Sequence, residues 1–202
     1  MSASGELSSA LGGPVLEVAP RLLGAVLRHG DVAVRLTEVE AYDGADDPGS
    51  HAFRGPTPRN QVMFGPPAHL YVYFIYGMHY CCNVVTGPEG RASAVLLRAG
   101  EVVDGIETAR VRRNGAADRD LARGPAMLCQ ALGLTIEHNG DDLATGRVRL
   151  ELPDPPQPGE VGTGPRVGLR DAPERPWRFW LAEERTVSTY RPAAPRRRRT
   201  GP

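Results

Sequence analysis

Alternation of apolar and polar residues is clearest between Val32 and Tyr42, where the period-two spacing predicts a strand. One face of it would carry Val32, Val34, Leu36, Glu38, Glu40 and Tyr42, apolar at its start and carboxylate-bearing toward its end. On that pattern Glu40 stands at the rim of a core, where partial loss of solvent raises a carboxylate pKa. Leu70–Tyr76 is aromatic and β-branched, and His79–Val85 follows Gly77. The two runs predict a hairpin with Tyr76, Gly77 and Met78 near its tip. Further strands are expected at Ala94–Ala99, Arg147–Leu152 and Trp177–Ala182. Helices are expected over Pro20–Gly30, Asp104–Asn114 and Gly124–Leu132, the last opened by Pro125 and closed by Gly133. Strands cluster in the middle and at the end, without βαβ alternation. That favours a single α+β domain with an antiparallel or mixed sheet over a Rossmann-type layout.

Between these elements, Asp43–Pro67 is loop-rich, and loops of that length in a compact domain commonly carry function. Residues 1–13 read as a flexible leader, 14–191 as the domain and 192–202 as a Pro/Arg-rich tail. A length of 202 residues with 41% hydrophobic and 24% charged content suits one soluble domain with its own core. No run approaches the roughly 18–20 apolar residues of a membrane span. The first residues lack the basic cluster and apolar run of a secretory signal, so a cytoplasmic location without a membrane partner is expected.

Three features of composition change the picture. Cys81, Cys82 and Cys129 are odd in number and lack CxxC spacing, which predicts buried, reduced thiols rather than a zinc site. The formal charge is zero, yet from Arg166 onward ten arginines face four acids, ending in Arg196–Arg199. Such a cluster is either a solvated tail or a phosphate contact surface. All 24 Lys+Arg residues are arginine, so no internal lysine is available for Schiff-base catalysis.

Several blocks in order resemble one family. They are Thr37-Glu-Val-Glu-Ala-Tyr42, His51, Thr57-Pro-Arg-Asn60, Met63-Phe64 and Leu70-Tyr-Val-Tyr-Phe-Ile-Tyr-Gly-Met78. Asn83, Leu96-Leu-Arg-Ala99, Gly124–Leu132 and a weaker echo at Gly164-Pro-Arg-Val-Gly168 with the closing Arg178-Phe-Trp strand follow. This text resembles the alkyladenine (3-methylpurine) DNA glycosylases over roughly residues 14–190. The resemblance implies a curved antiparallel sheet with surrounding helices and a hairpin projecting into the DNA minor groove. It implies Glu40 as general base for water, with Arg98 helping to hold that water and carboxylate. Tyr42, His51 and Tyr73 would enclose a flipped base, and Asn83 would reject normal guanine by crowding its amino group. Tyr76 would enter the duplex, with Met78, His79 and Arg59 near the DNA, although the family often has an aromatic where His79 stands.

The implied partner is damaged duplex DNA, met in the cytoplasm at the nucleoid by a monomer needing neither cofactor nor metal. The chemistry is coherent: a base in a duplex hides its glycosidic bond and must be extruded. Alkylated purines are often cationic, which favours stacking on Tyr42 and Tyr73. The same charge makes the base a good leaving group, so an aligned water and one carboxylate suffice. Three rival readings use the same residues. One is a damaged-DNA-binding protein of this fold without catalysis. Another is a metal-dependent nuclease using Asp43, Asp46, Asp47 and His51, whose carboxylates lack a standard ligand spacing. The third is an RNA-binding module built on Tyr71, Tyr73 and Tyr76.

Overall fold

The computed structural model describes residues 2–157 and 159–194. Among them are helices α1 (Ala3–Leu11), α2 (Val15–Arg21), α3 (Ile106–Arg112) and α4 (Pro125–Leu132). Nine strands are present among the described residues: β1 (Val26–His29), β2 (Val32–Tyr42), β3 (Leu70–Ile75), β4 (His79–Val85), β5 (Ala94–Asp104), β6 (Ala122–Arg123), β7 (Val148–Glu151), β8 (Val161–Gly164) and β9 (Arg178–Leu181). They form one antiparallel sheet in the order β3-β4-β5-β2-β1-β7, with β6 on β5 and the β8–β9 pair on the far end of β2. The expected α+β domain with an antiparallel sheet and a hairpin is the fold observed. The helices lie against one face, where Leu128 and Leu132 of α4 and Val18 of α2 meet Leu36, Val39 and Leu97 in the main core. The opposite face holds a smaller cluster of Ala52, Met63, Tyr71, Val85, Ala92 and Ala94 under the long loop.

The alternation expected along β2 breaks in its middle. Val32, Val34 and Leu36 face the main core, but beyond them Val39 and Ala41 do. The ladder to β5 pairs Leu36 with Gly100, Glu38 with Ala99, Val39 with Leu97 and Glu40 with Leu96, skipping Thr37 on β2 and Arg98 on β5. One extra residue in a strand moves every later side chain to the other face. Glu38, Glu40 and Tyr42 therefore leave the apolar face that Leu36 occupies. At the same point β2 exchanges its other neighbour, from β1 at Val32–Arg35 to β9 at Glu38–Glu40.

Two expectations near the N-terminus are corrected. Pro20–Gly30 is not a helix: Pro20 lies near the end of α2, and Val26–His29 pairs with Val32–Arg35 through a two-residue turn, Gly30-Asp31. The apolar run Leu22–Leu27 satisfies either period, and Gly30 (φ 60°) is a hairpin residue rather than a helix end. The leader is also not loose, because residues 3–11 form α1 and bury Leu7 and Leu11. Residues 195–202, which include Arg196–Arg199, lie outside the described residues.

Because Leu11 of α1 is buried in the main core, Leu11→Ala will lower unfolding free energy by about 2–5 kcal/mol, the usual cost of truncating a buried leucine. Urea denaturation followed by circular dichroism measures it. An unchanged midpoint would mean that the segment is dispensable.

Candidate active site

Strand alternation on the face away from the main core brings together side chains from four neighbouring strands. The ladders align Glu40 with Leu96, Leu96 with Asn83, and Asn83 with Tyr71. Two residues away on each strand, on the same face, stand Tyr42, Arg98, Cys81 and Tyr73. These residues line a pocket of about 350 Å³, closed by His51 and Met63 of the long loop, by Val167–Leu169, and by Ile75 and Tyr76 of the hairpin. A pocket of this size with aromatic walls and few polar groups suits a small planar ligand.

Glu40 is fully buried, and three donors hold it. Its Oε1 accepts the Val167 N–H (2.7 Å) and lies 3.4 Å from Arg98 Nη1; its Oε2 accepts the Tyr42 hydroxyl (2.9 Å). Burial pushes its carboxyl above the ordinary carboxylate range, and Arg98, Val167 and Tyr42 pull it back only in part. The rim position expected from the sequence understates this, since the carboxylate has no exposure at all. Glu38, also fully buried, has four donors. Arg178 Nε (2.6 Å), Ser188 Oγ (2.9 Å) and Arg98 Nε (3.1 Å) reach its Oε1, and Ser188 N–H (2.6 Å) reaches Oε2. Arg98 thus spans the two glutamates. Burial alone would lower its pKa, but the Glu40 and Glu38 charges outweigh that and raise it.

The aromatic wall is ordered by its own contacts. His51 stands edge-on to Tyr73, with ring centroids 4.6 Å apart, and its Nδ1 lies 3.2 Å from the Tyr71 hydroxyl. Loss of solvent and nearby Arg59 lower the His51 pKa, which keeps the imidazole neutral at pH 7. Burial raises both tyrosines, Tyr71 to about 12. It raises the Cys81 thiol to about 11, so this pocket cysteine is a protonated, inert wall residue. Asn83 donates its side-chain amide to Tyr71 O (3.0 Å), which fixes the amide at the pocket floor.

Of the remaining candidates, Tyr76 is 84% exposed and stands at the hairpin tip beside Met78, which is 67% exposed. Tyr76 (φ 53°) and Gly77 (φ 68°) form the positive-φ pair that tight hairpin turns use. Arg59 lies over the Tyr73 ring at 5.3 Å and donates to Phe74 O (3.1 Å), on the hairpin flank. His79 does not enter the pocket; with Met78 it lines a separate groove toward the end of α4. The acidic loop is engaged with arginines: Asp43 and Asp46 with Arg91, and Asp47 with Arg166. Four contributors escaped the sequence reading as site residues: Val167, Arg166, Arg178 and Ser188. The Gly164–Gly168 echo pointed toward the first two and the closing Arg178-Phe-Trp strand toward the third.

The methylpurine-DNA glycosylase family model matches residues 9–185. A relative from Streptomyces avermitilis is 55% identical over 196 residues, covering 93% of this chain and 92% of its own length. Others from Frankia casuarinae (56% over 197 residues, 92% of each) and Burkholderia cenocepacia (48% over 176 residues, 85% of each) are similar. All three are provisionally named 3-methyladenine DNA glycosylase.

Glu38 is the natural test of how the site is held. Glu38→Ala leaves Arg98 and Arg178 buried without their shared counter-charge and should cost about 3–5 kcal/mol of stability. Chemical denaturation reads it, and a loss below 1 kcal/mol would mean that the network is not structural. With its strands, pocket and paired glutamates in place, the chain belongs to the methylpurine-DNA glycosylase family.

Proposed function

We propose that this chain is a monofunctional DNA glycosylase that turns an alkylated purine out of duplex DNA and hydrolyses its glycosidic bond. The observation that carries this reading is Glu40: a donor-held carboxylate with no solvent exposure at the wall of an aromatic pocket. The extruded base stacks among Tyr42, Tyr73 and His51, whose neutral imidazole adds no repulsion to a cationic purine. Tyr76, exposed at the hairpin tip beside the pocket mouth, fills the vacated stack and offsets part of the few kcal/mol that extrusion costs. Met78 and Arg59 flank it on the DNA side. Asn83, held to Tyr71 O, crowds the position that the guanine amino group would take.

The bond from the sugar C1′ to the base nitrogen breaks, and its electron pair neutralises the departing cationic base. Water attacks C1′ and gives its proton to Glu40, whose negative charge also stabilises the oxocarbenium-like sugar. Arg98 steadies Glu40 and the water. With no lysine in the chain, no internal amine is available to open the sugar as a Schiff base, and an intact abasic site is the product. The names of the relatives, which specify 3-methyladenine, agree with a cationic purine as substrate.

Glu40→Gln should reduce single-turnover release of free base by at least about a hundredfold, the usual contribution of a positioned general base, while DNA binding persists. Full activity in this variant would overturn the mechanism. Only the ionised carboxylate can accept a proton. Because burial raises the Glu40 pKa, the rate should be complete above that raised value and fall tenfold per pH unit below it. The acid limb of kcat/KM will therefore sit above the ordinary carboxylate range. Borohydride treatment during turnover should trap no enzyme–DNA adduct, and a trapped adduct would contradict monofunctional hydrolysis.

A further inference from the structure

Behind the pocket wall lies an ion pair that no step above uses. Asp47 and Arg166 are both fully buried, with Nη1–Oδ2 at 2.5 Å and Nη2–Oδ1 at 2.7 Å. Arg166 is not itself a pocket residue. Its guanidinium lies 4.6 Å behind the Tyr42 ring and 5.1 Å from the Trp177 ring, and Nη1 also donates to Ala41 O (2.9 Å). Ala41 sits between Glu40 and Tyr42, and the residue after Arg166 supplies the N–H that holds Glu40. Asp47 in turn accepts the Gly49 N–H (3.1 Å). Gly49 approaches the 166–169 segment so closely that a Cβ there would lie 2.5 Å from Leu169 Cδ2. The pair thus joins the long loop, β2 and the 166–169 segment at one point.

The charge of this pair bears on the ligand. A cation on one face of an aromatic ring draws on the same quadrupole that would attract a cationic base on the other. Asp47 offsets that charge with a bidentate contact. Arg175, more exposed and 3.8 Å from Asp47, is a weaker second partner. Burying two charges is costly, and apolar residues of similar size commonly hold a fold as well. A packing role alone therefore does not explain why this wall is backed by an ion pair.

We propose that Asp47–Arg166 is a positioning and charge-compensating pair for the base pocket. Arg166 fixes Tyr42 and the Val167 N–H that orients Glu40, while Asp47 cancels the guanidinium charge so that Tyr42 can stack on a cationic purine. This rests on the glycosylase reading above. A base stacked on the free face of Tyr42 lies roughly 8 Å from the guanidinium. At an effective dielectric of about 20, an uncompensated charge there weakens binding of a cationic base about thirtyfold.

The experiment is steady-state release of methylated purines from methylated duplex DNA by the natural protein, Asp47→Asn, and the double variant Asp47→Asn/Arg166→Gln. Asp47→Asn keeps Arg166 and its contacts with Tyr42, Trp177 and Ala41 O but leaves its charge uncompensated, so its loss, about thirtyfold, should appear mainly in KM. The double variant removes both charges of the pair but no longer fixes Tyr42 and Val167. Its KM should recover toward the natural value while kcat stays about tenfold low. A structural role alone would lower the active fraction, hence kcat, in both variants and leave KM unmoved. Asp47→Asn binding methylated DNA as tightly as the double variant would overturn charge compensation, and natural kcat in the double variant would overturn positioning. The double variant, which leaves no unpaired partner of this ion pair buried, keeps the positioning half decidable where Asp47→Asn alone does not fold. Absence of base release by the natural protein would overturn the glycosylase reading and this proposal together. Release that neither substitution alters would overturn this proposal alone.

Discussion

Two carboxylates on one strand, both without solvent exposure, set the conditions for the rest of the structure. A buried carboxylate left without donors costs several kcal/mol, so Glu38 and Glu40 must draw hydrogen bonds from their surroundings. Those donors come from far along the chain: Val167 is 127 residues from Glu40, and Arg178 and Ser188 are 140 and 150 from Glu38. The late segments therefore close over β2 as ligands of its glutamates. The catalytic candidate and the closure of the fold are the same set of contacts.

What lets the glutamates be buried at all is the irregular register at Thr37 and Arg98. In an unbroken ladder they would share the apolar face of Leu36, among leucines with no donor to offer. Skipping Thr37 turns them to the other face. Skipping Arg98 places its guanidinium between them, with Nε toward Glu38 and Nη1 toward Glu40. Bulges beside active sites commonly re-aim a side chain in this way. Here two opposed irregularities re-aim an acid pair and the base that bridges them.

The parts of this arrangement legible in the sequence are those encoded locally. The extent of β2, the β3–β4 hairpin with Tyr76 at its tip, and α4 between Pro125 and Gly133 follow from periodicity and turn residues within about ten positions. The site residues Glu40, Tyr42, Tyr73, Asn83 and Arg98 were found through the order of blocks resembling a known family, and the fold does gather them. The parity change in β2 was hidden because a bulge leaves the apolar spacing almost intact. The Asp47–Arg166 pair was hidden because 119 residues separate its members, and each looks like an ordinary surface charge. The helix expected over Pro20–Gly30 failed for a different reason: six apolar-rich residues fit both periods, and pairing with β2 decided between them.

The hairpin tip obeys the opposite logic to the buried acids. A tyrosine at φ 53° sits in a region that L-residues avoid at a cost of roughly 1–2 kcal/mol, and a glycine there would relieve it. The Tyr76 ring is almost wholly exposed, so no packing within the fold offsets that cost. Residues held in such conformations cluster where a partner engages them. A large aromatic side chain beside the pocket mouth, set outward by a strained backbone, gains contacts only when another surface covers it. The strain at Tyr76 therefore marks the hairpin tip, beside the pocket that Tyr76 also lines, as a place where a partner surface would be met.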